Sequence, residues 1–302
     1  VTLAGSSEED WQQSSRGLAA KDLAMSIVLP ELDGRIATRA ISFNADALWH
    51  ARSARRIVTY TPVDDRIAFV ADLSANWAAL RHTPAGDRKT AIILANYPNK
   101  DGRIANGVGY DTPASTVAIL AALEAEGYAV AAYPPTGNGI IEELQRGPTN
   151  AGPGQDQGEK LSLAGYEAWF ATLPASLRTR ITARWGEPSA DPFFAGGAFR
   201  LPVRLYGNAA VAIQPARGYN IDPKSTYHDP ALLPPHGYLA FYLWLRHGFG
   251  AHAVILPGVT IEATNTATNS VRTATTGPDG FFTIPLVQPG SYNVKASLSG
   301  FS

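Results

Sequence analysis

The sequence predicts an α/β fold containing a parallel βαβ unit, followed by a small antiparallel all-β module of sandwich type. Three observations carry that expectation. The run Thr90–Ala95 is continuously apolar, as a strand buried on both faces must be. A helical stretch follows, opened by Asp111 or Thr112 with Pro113 at its first position and closed by Gly127; the short apolar run Tyr128–Tyr133 comes next as the second strand. From Val259 onward the period changes to strict alternation, with Val259, Ile261 and Ala263 set against Thr260, Glu262 and Thr264. The chain is therefore expected to divide near Leu256–Gly258 into an α/β region and a β region, with bounds of 1–254 and 255–302 set by the resemblances given below.

Taken in order, Met25–Leu29 is a short strand-like apolar run closed by Pro30, and Ile57–Tyr60 is another closed by Pro62. Between Val63 and Leu80, Ile67, Val70, Ala71, Ser74 and Trp77 recur at helical spacing and predict a helix with one buried face. The 17-residue connection Asn96–Thr112 is long for a compact domain, a length that usually accompanies binding. In a parallel unit it leaves the carboxyl end of a strand, where ligands sit. Gly147–Gly158 is a loop by composition, and Pro174 separates two helices at Ser162–Leu173 and Ala175–Trp185. Ala209–Gln214 reads as another buried strand, Pro235–His247 as an aromatic helix and Ala251–Ile255 as the start of a strand. In the tail, Asn269-Ser270, Pro278-Asp279-Gly280 and Gln288-Pro289-Gly290 mark turns at about ten-residue spacing.

Composition narrows the function. Among 302 residues, 45% are hydrophobic and 17% charged, which is globular rather than disordered. A net charge of −1 gives no reason to expect nucleic acid or an anionic membrane as partner. The absence of cysteine excludes disulfides and thiolate metal sites. No apolar run reaches the roughly 20 residues of a transmembrane segment, and the acidic start Glu8-Glu9-Asp10 does not fit a secretory leader. A cytoplasmic protein is expected.

Two segments invite chemical readings. The Asn96–Thr112 loop precedes a helix, yet Gly107-Val108-Gly109 lacks the third glycine of a dinucleotide fingerprint, and Asp111 would repel an anion there. Four of the six histidines lie between His228 and His252. His236 and His247 are eleven residues apart, roughly 16 Å along an unbroken helix, too far to share one ion. His228 and His236 are candidates for a shared metal site; a hydrogen-bonded loop anchor is the alternative. The stripe Tyr238, Phe241, Tyr242 and Leu245 reads as core. No Walker loop, zincin helix or serine elbow is present.

Three stretches carry a specific resemblance. They are Ile92–Ser115, with Asn96-Tyr97-Pro98-Asn99-Lys100-Asp101-Gly102-Arg103 at its heart; Ile213–Pro223, with Arg217-Gly218-Tyr219-Asn220; and Tyr227–Val254, with His228-Asp229-Pro230, His236-Gly237-Tyr238 and Ala251-His252-Ala253. Over residues 1–254 the chain resembles the large subunit of aerobic cobaltochelatase, the CobN family related to the magnesium chelatase large subunit. That resemblance implies insertion of Co2+ into hydrogenobyrinic acid a,c-diamide during cobalamin biosynthesis. It further implies partner AAA+ chelatase subunits that use ATP and Mg2+, so that neither is bound here. Accepting pyrrole protons and delivering a divalent ion suit neutral imidazole and carboxylate. On that ground His228, Asp229 and His236 are the catalytic candidates, and His236 and His252 the metal candidates. Asn96, Tyr97, Asp111, Arg217 and Tyr219 are the tetrapyrrole-binding candidates. After Val254 the family continues into His-Gly-x-Leu-Glu-Trp-Leu-Pro-Gly-Lys, whereas here Ile255 runs into Leu256-Pro257-Gly258. That departure implies tetrapyrrole binding without turnover. Residues 256–302, with Pro257-Gly258-Val259-Thr260-Ile261, Gly280-Phe281-Phe282 and Pro289-Gly290-Ser291-Tyr292, resemble a carboxypeptidase regulatory-like β module. A non-catalytic interaction protein using that module is the alternative reading.

Overall fold

The computed structural model describes residues 2–3, 5, 7–13, 18, 20–96, 101–107, 110–219, 231–257, 260–265, 268, 270–275 and 292–297. The chain separates into two units, Val1–His82 and Thr83–Ser302.

In the first unit, β1 (Thr2–Leu3) pairs parallel with β2 (Ser42–His50), and β2 pairs antiparallel with β3 (Arg55–Pro62), with a bulge between Ala45 and Leu48. α1 (Glu8–Gln13) places Trp11 against the buried Phe43, ring centroids 5.4 Å apart. The strand expected at Met25–Leu29 is instead helical: Ala24–Val28 forms a wide π turn running into Leu29–Leu32, with Pro30 inside the helical run. α2 (Asp64–His82) confirms the helix read from periodicity, but none of its residues is fully buried. Its half-buried positions are Arg66, Val70, Leu73 and Leu80, whereas Ile67 and Trp77 are exposed. The inward stripe is thus offset by one residue, about 100° of helix rotation, from the one read off the sequence.

The second unit is built on β4 (Thr90–Leu94), α3 (Thr112–Ala125), α4 (Gly137–Gln145), β5 (Lys160–Ser162), α5 (Leu163–Phe170), α6 (Ala175–Trp185), β6 (Phe194–Ala195), β7 (Ala198–Arg200), β8 (Val203–Tyr206), β9 (Ala209–Ile213), α7 (His236–Leu243) and β10 (Ala253–Ile255). The main sheet has the order β8-β9-β4-β10, with β9 and β10 parallel to β4 and β8 antiparallel to β9. All five residues of β4 and all five of β9 are buried, as continuous apolar strands covered on both faces should be.

Period-two alternation divides the core. Ile92, Leu94, Val211 and Ile213 face Ile119 and Leu120 of α3 and Ile140 and Leu144 of α4. On the opposite face, Ala91, Ile93, Ala210 and Ala212 share a cluster with Tyr166 of α5, Phe199 of β7, and Ala240 and Phe241 of α7. Each fully buried Ile or Leu is worth roughly 1.5–3 kcal/mol. Small alanines on the second face leave room for the aromatic rings stacked over it.

The parallel sheet corrects the expected βαβ unit. Tyr128–Tyr133 is not a strand. Only Val130 forms a bridge, antiparallel to Gly207, flanked by hydrogen bonds from Ala131 N to Tyr206 O and from Asn208 N to Ala129 O. β9 occupies the place beside β4, so the segment after Gly127 is held at the β8–β9 turn instead.

α7 spans the expected aromatic helix only in part, continuing through a π turn at Trp244–Phe249 that ends on Gly250 with φ +72°. β5, β7 and β6 form a small antiparallel sheet in that order. Beyond the α/β core, β11 (Thr260–Asn265) lies between β12 (Val271–Thr275) and β13 (Tyr292–Ser297), antiparallel to both. The turns expected at Pro278-Asp279-Gly280 and Gln288-Pro289-Gly290 lie outside the described residues. No helix among the described residues is long and apolar enough to cross a membrane.

Candidate functional site

The carboxyl ends of β4 and β9 emerge side by side, and the chain leaving each is polar yet buried. β4 leads into Asn96, 2% exposed, which bridges Ile104 across the loop. β9 leads into Gln214, whose N–H still bonds Leu94 O at 2.8 Å, so the pairing of the two strands outlasts the strands themselves. The Gln214 side chain accepts from the Tyr242 hydroxyl at 2.6 Å. Asn150, in the Gly147–Gly158 loop, donates to Gln214 O at 2.8 Å and accepts from Ala216 N at 2.9 Å. Its amide thereby mimics an extra strand residue where none is available.

Farther along, Arg217 donates to Leu232 O at 3.3 Å, and Trp185 of α6 donates to Leu233 O at 2.8 Å. Tyr219 lies edge-on to Trp185 and against Phe193, each 5.7 Å between centroids. Its hydroxyl reaches the Asp191 carboxylate at 3.1 and 3.3 Å. Asp191 also accepts from Phe193 N at 2.9 Å and from Gly237 N, in the first turn of α7, at 2.8 Å. Burial pushes the Asp191 carboxyl above its ordinary range, while those hydrogen bonds pull it back. The same burial, with the charge of Asp191, drives the Tyr219 phenol well above its usual value.

His236 is fully buried beside this carboxylate. Its Nε2 faces Gly186 O at 3.0 Å and its Nδ1 faces the Tyr166 hydroxyl at 2.7 Å. A carbonyl can only accept, so Nε2 carries the proton; burial lowers the ring's pKa and keeps it neutral, leaving Nδ1 to accept from Tyr166. Phe170 and Tyr166 pack edge-on against the imidazole at 5.2 and 5.6 Å. Phe170 also lines an open cleft of about 600 Å³ between α5 and α6, together with Glu167, Arg178, Thr182 and Glu187.

The structure thus gathers Tyr219, His236 and Arg217 beyond the carboxyl ends of the two central strands, with Asn96 just past the end of β4. Asp111 is the N-cap of α3 and accepts from Ala114 N at 3.0 Å, so that helix end already holds an anion of its own. His252 stands at the opposite end of the sheet, by the amino ends of β4 and β10. It precedes β10, and its Nδ1 accepts from Lys89 N, just before β4, at 2.9 Å. The helical run Trp244–Phe249 and α7 separate it from His236 by roughly 20 Å at 1.5 Å per residue. Among the described residues no group of three or more His, Asp or Glu side chains is placed to hold a metal ion. Tyr97, His228 and Asp229 lie outside the described residues. Sequence reasoning missed Asp191, Asn150 and Tyr166, which sit far in sequence from their partners. The one local signal was a charged residue set among Pro188, Pro192, Phe193 and Phe194.

Comparison with known proteins gives these features a family. Residues 1–259 match the CobN/Magnesium Chelatase family, and residues 251–302 match the carboxypeptidase regulatory-like domain. The chain is 50% identical over 259 residues to an aerobic cobaltochelatase subunit CobN of Sinorhizobium sp, covering 85% of this chain and 20% of that protein. It is 47% identical over 251 residues to the aerobic cobaltochelatase subunit CobN of Pseudomonas aeruginosa, covering 82% and 20%. In three dimensions it is similar to the catalytic subunit of cobaltochelatase from Mycobacterium tuberculosis, with a TM-score of 0.67 and 35% identity over 85% of this chain and 22% of that one. The chain therefore spans about a fifth of the length of these relatives. With its first 259 residues matched and its α/β core shared, the chain belongs to the CobN/magnesium chelatase family.

Proposed function

We propose that this chain forms a tetrapyrrole-binding segment of a cobaltochelatase-type large subunit. The substrates of the whole protein are then Co2+ and hydrogenobyrinic acid a,c-diamide, and separate AAA+ subunits supply the work of ATP hydrolysis with Mg2+. The observation that carries this reading is the similarity to aerobic cobaltochelatase subunits across the α/β region, including the segments that follow β4 and β9. Asn96, Tyr97, Arg217 and Tyr219 are proposed to contact the macrocycle, with Asp111 ordering the helix after the first loop. His228 and Asp229 are proposed to receive pyrrole protons directly; His236, buried with both ring nitrogens hydrogen-bonded, is proposed to take part only as the neutral acceptor of the Tyr166 hydroxyl. His252, exposed at the amino ends of β4 and β10, is proposed to meet the metal ion on its own rather than with His236. Ile255 running into Leu256-Pro257-Gly258 replaces the family's His/Glu motif, so binding is expected without turnover.

Titrating the 302-residue chain with hydrogenobyrinic acid a,c-diamide tests the reading. A saturable shift of the tetrapyrrole absorption supports it, and an unshifted spectrum at high protein concentration sinks it. Adding Co2+, ATP and the AAA+ subunits then separates binding from catalysis, with no cobalt-loaded product expected. The match of residues 251–302 to a regulatory-like β domain favours a second reading, in which that module attaches the chain to a partner. A module-dependent complex recovered from cell fractions would support it, and material that elutes without any partner would count against it.

A further inference from the structure

We propose that Asp191 is the positioning residue of the candidate site beyond the carboxyl ends of β4 and β9, fixing Tyr219 and the first turn of α7 to one another through a single buried carboxylate. The proposal rests on the tetrapyrrole reading above for its functional meaning and on geometry for the rest. Asp191 is 5% exposed and lies on the turn that follows α6. One oxygen accepts from Phe193 N at 2.9 Å, within its own turn. The other accepts from Gly237 N at 2.8 Å, 46 residues away. The Tyr219 hydroxyl, 28 residues away, reaches both. Tyr219 and Gly237 bracket a stretch of sequence that includes His228, Asp229 and His236. A carboxylate bonded to both Tyr219 and Gly237 fixes those two residues relative to each other.

Two further observations show that the junction is built closely. A Cβ on residue 237 would lie 2.7 Å from the Tyr219 hydroxyl and 2.9 Å from Asp191 Oδ1, so only glycine allows the approach. Trp185 adds a second tie between neighbouring points of the chain, packing on Tyr219 and bonding Leu233 O, four residues before Gly237. The chemistry also singles out aspartate. Each carboxylate oxygen faces a backbone N–H that cannot reverse its polarity. Asparagine would set its NH2 group against one of them and leave a buried donor facing a donor.

Hydrogen exchange on the full chain, read by mass spectrometry, tests the role beside the tetrapyrrole titration. Asp191→Asn should accelerate exchange in peptides covering residues 219–243 by about 10- to 100-fold, the size of a lost charge-assisted hydrogen bond. Exchange in β4 and β9 should not move, and the tetrapyrrole dissociation constant should rise by about tenfold or more. Tyr219→Phe, which leaves both backbone donors satisfied, should give a smaller change of the same kind and decides the matter if Asp191→Asn does not fold. Unchanged exchange in 219–243, an increase spread evenly over the sheet, or an unchanged tetrapyrrole affinity would each overturn the role. A wild-type chain that fails to shift the tetrapyrrole spectrum sinks the functional reading instead, and exchange still judges the hydrogen-bonded junction.

Discussion

His236 is a buried base with both nitrogens committed, and its environment sets a pH dependence whose sign follows directly. Burial lowers its folded-state pKa below the ordinary value of 6.5, so between the two values the unfolded chain binds a proton that the folded chain does not. Stability is then present in full above 6.5 and is lost as pH falls toward the folded value. Asp191, with its raised pKa, has the opposite slope: above the carboxylate reference of 3.8 its contribution is lost as pH rises through its folded value. Denaturant unfolding measured from about pH 7.5 to about pH 5.5 should therefore show a decline that His236→Gln flattens. An equal slope in both proteins would mean that the decline originates elsewhere. Gly237 gives a steric prediction at the same place. Gly237→Ala puts a methyl group under 3.0 Å from the Tyr219 hydroxyl and Asp191, and should cost about 1–3 kcal/mol, as overpacking does. A variant as stable as the wild type would show that the three segments part without penalty.

At the scale of elements, α3 is the clearest case of local sequence dictating structure. Asp111 caps it, Pro113 sits in the first turn, and Gly127 adopts φ +80° just beyond its end. Asp111→Ala should cost about 1 kcal/mol and let the first turn fray, seen as faster exchange at Ala114 without loss of the sheet. These features were legible because they depend on neighbours in sequence. So were β4 and β9, whose unbroken apolar runs announce burial on both faces. The partner of β4 was not legible. Tyr128–Tyr133 and Ala209–Ile213 are equally apolar, and sequence-adjacent segments usually pair, so the nearer run was the natural choice. What decides between them is that Ala209–Ile213 belongs to a hairpin with Val203–Tyr206 and enters the sheet as part of a paired unit. The candidate site shows the same division. Tyr219, Arg217 and His236 were found through extended motifs, and the structure sets them on neighbouring strand and helix ends. Asp191 escaped because its partners lie 28 and 46 residues away, and no periodicity connects positions joined only by tertiary folding. The stripe on α2 failed for a different reason: apolar spacing finds a helix, but not which of two adjacent stripes meets its neighbours.

For the whole molecule, the meaning of the junction near Leu256–Gly258 depends on where the α/β fold stops needing chain. The extent of the family resemblance puts the boundary at 254/255 and the change to strict alternation puts the junction near Leu256–Gly258; β10 runs through Ile255, in register with Ile92 of β4. Ile255 packs on the α3–α4 face of the sheet and Leu256 on the α7 face, so both layers extend to the last residues before the β module. The two family matches overlap at residues 251–259, the same short span. We therefore place the boundary after Pro257, which is itself buried. Two truncations separate this placement from an earlier one. A chain ending at Pro257 keeps β10 and both aliphatic contacts, and should unfold cooperatively with the tetrapyrrole affinity of the full chain. A chain ending at His252 removes the fourth strand, exposes the edge of β4 and strips Ile255 and Leu256 from the two faces. It should lose on the order of 2–4 kcal/mol and present an unpaired strand edge prone to aggregation. Equal stability of the two chains would show that β10 is dispensable. A loss already complete at Pro257 would show that the β module takes part in holding the α/β core together.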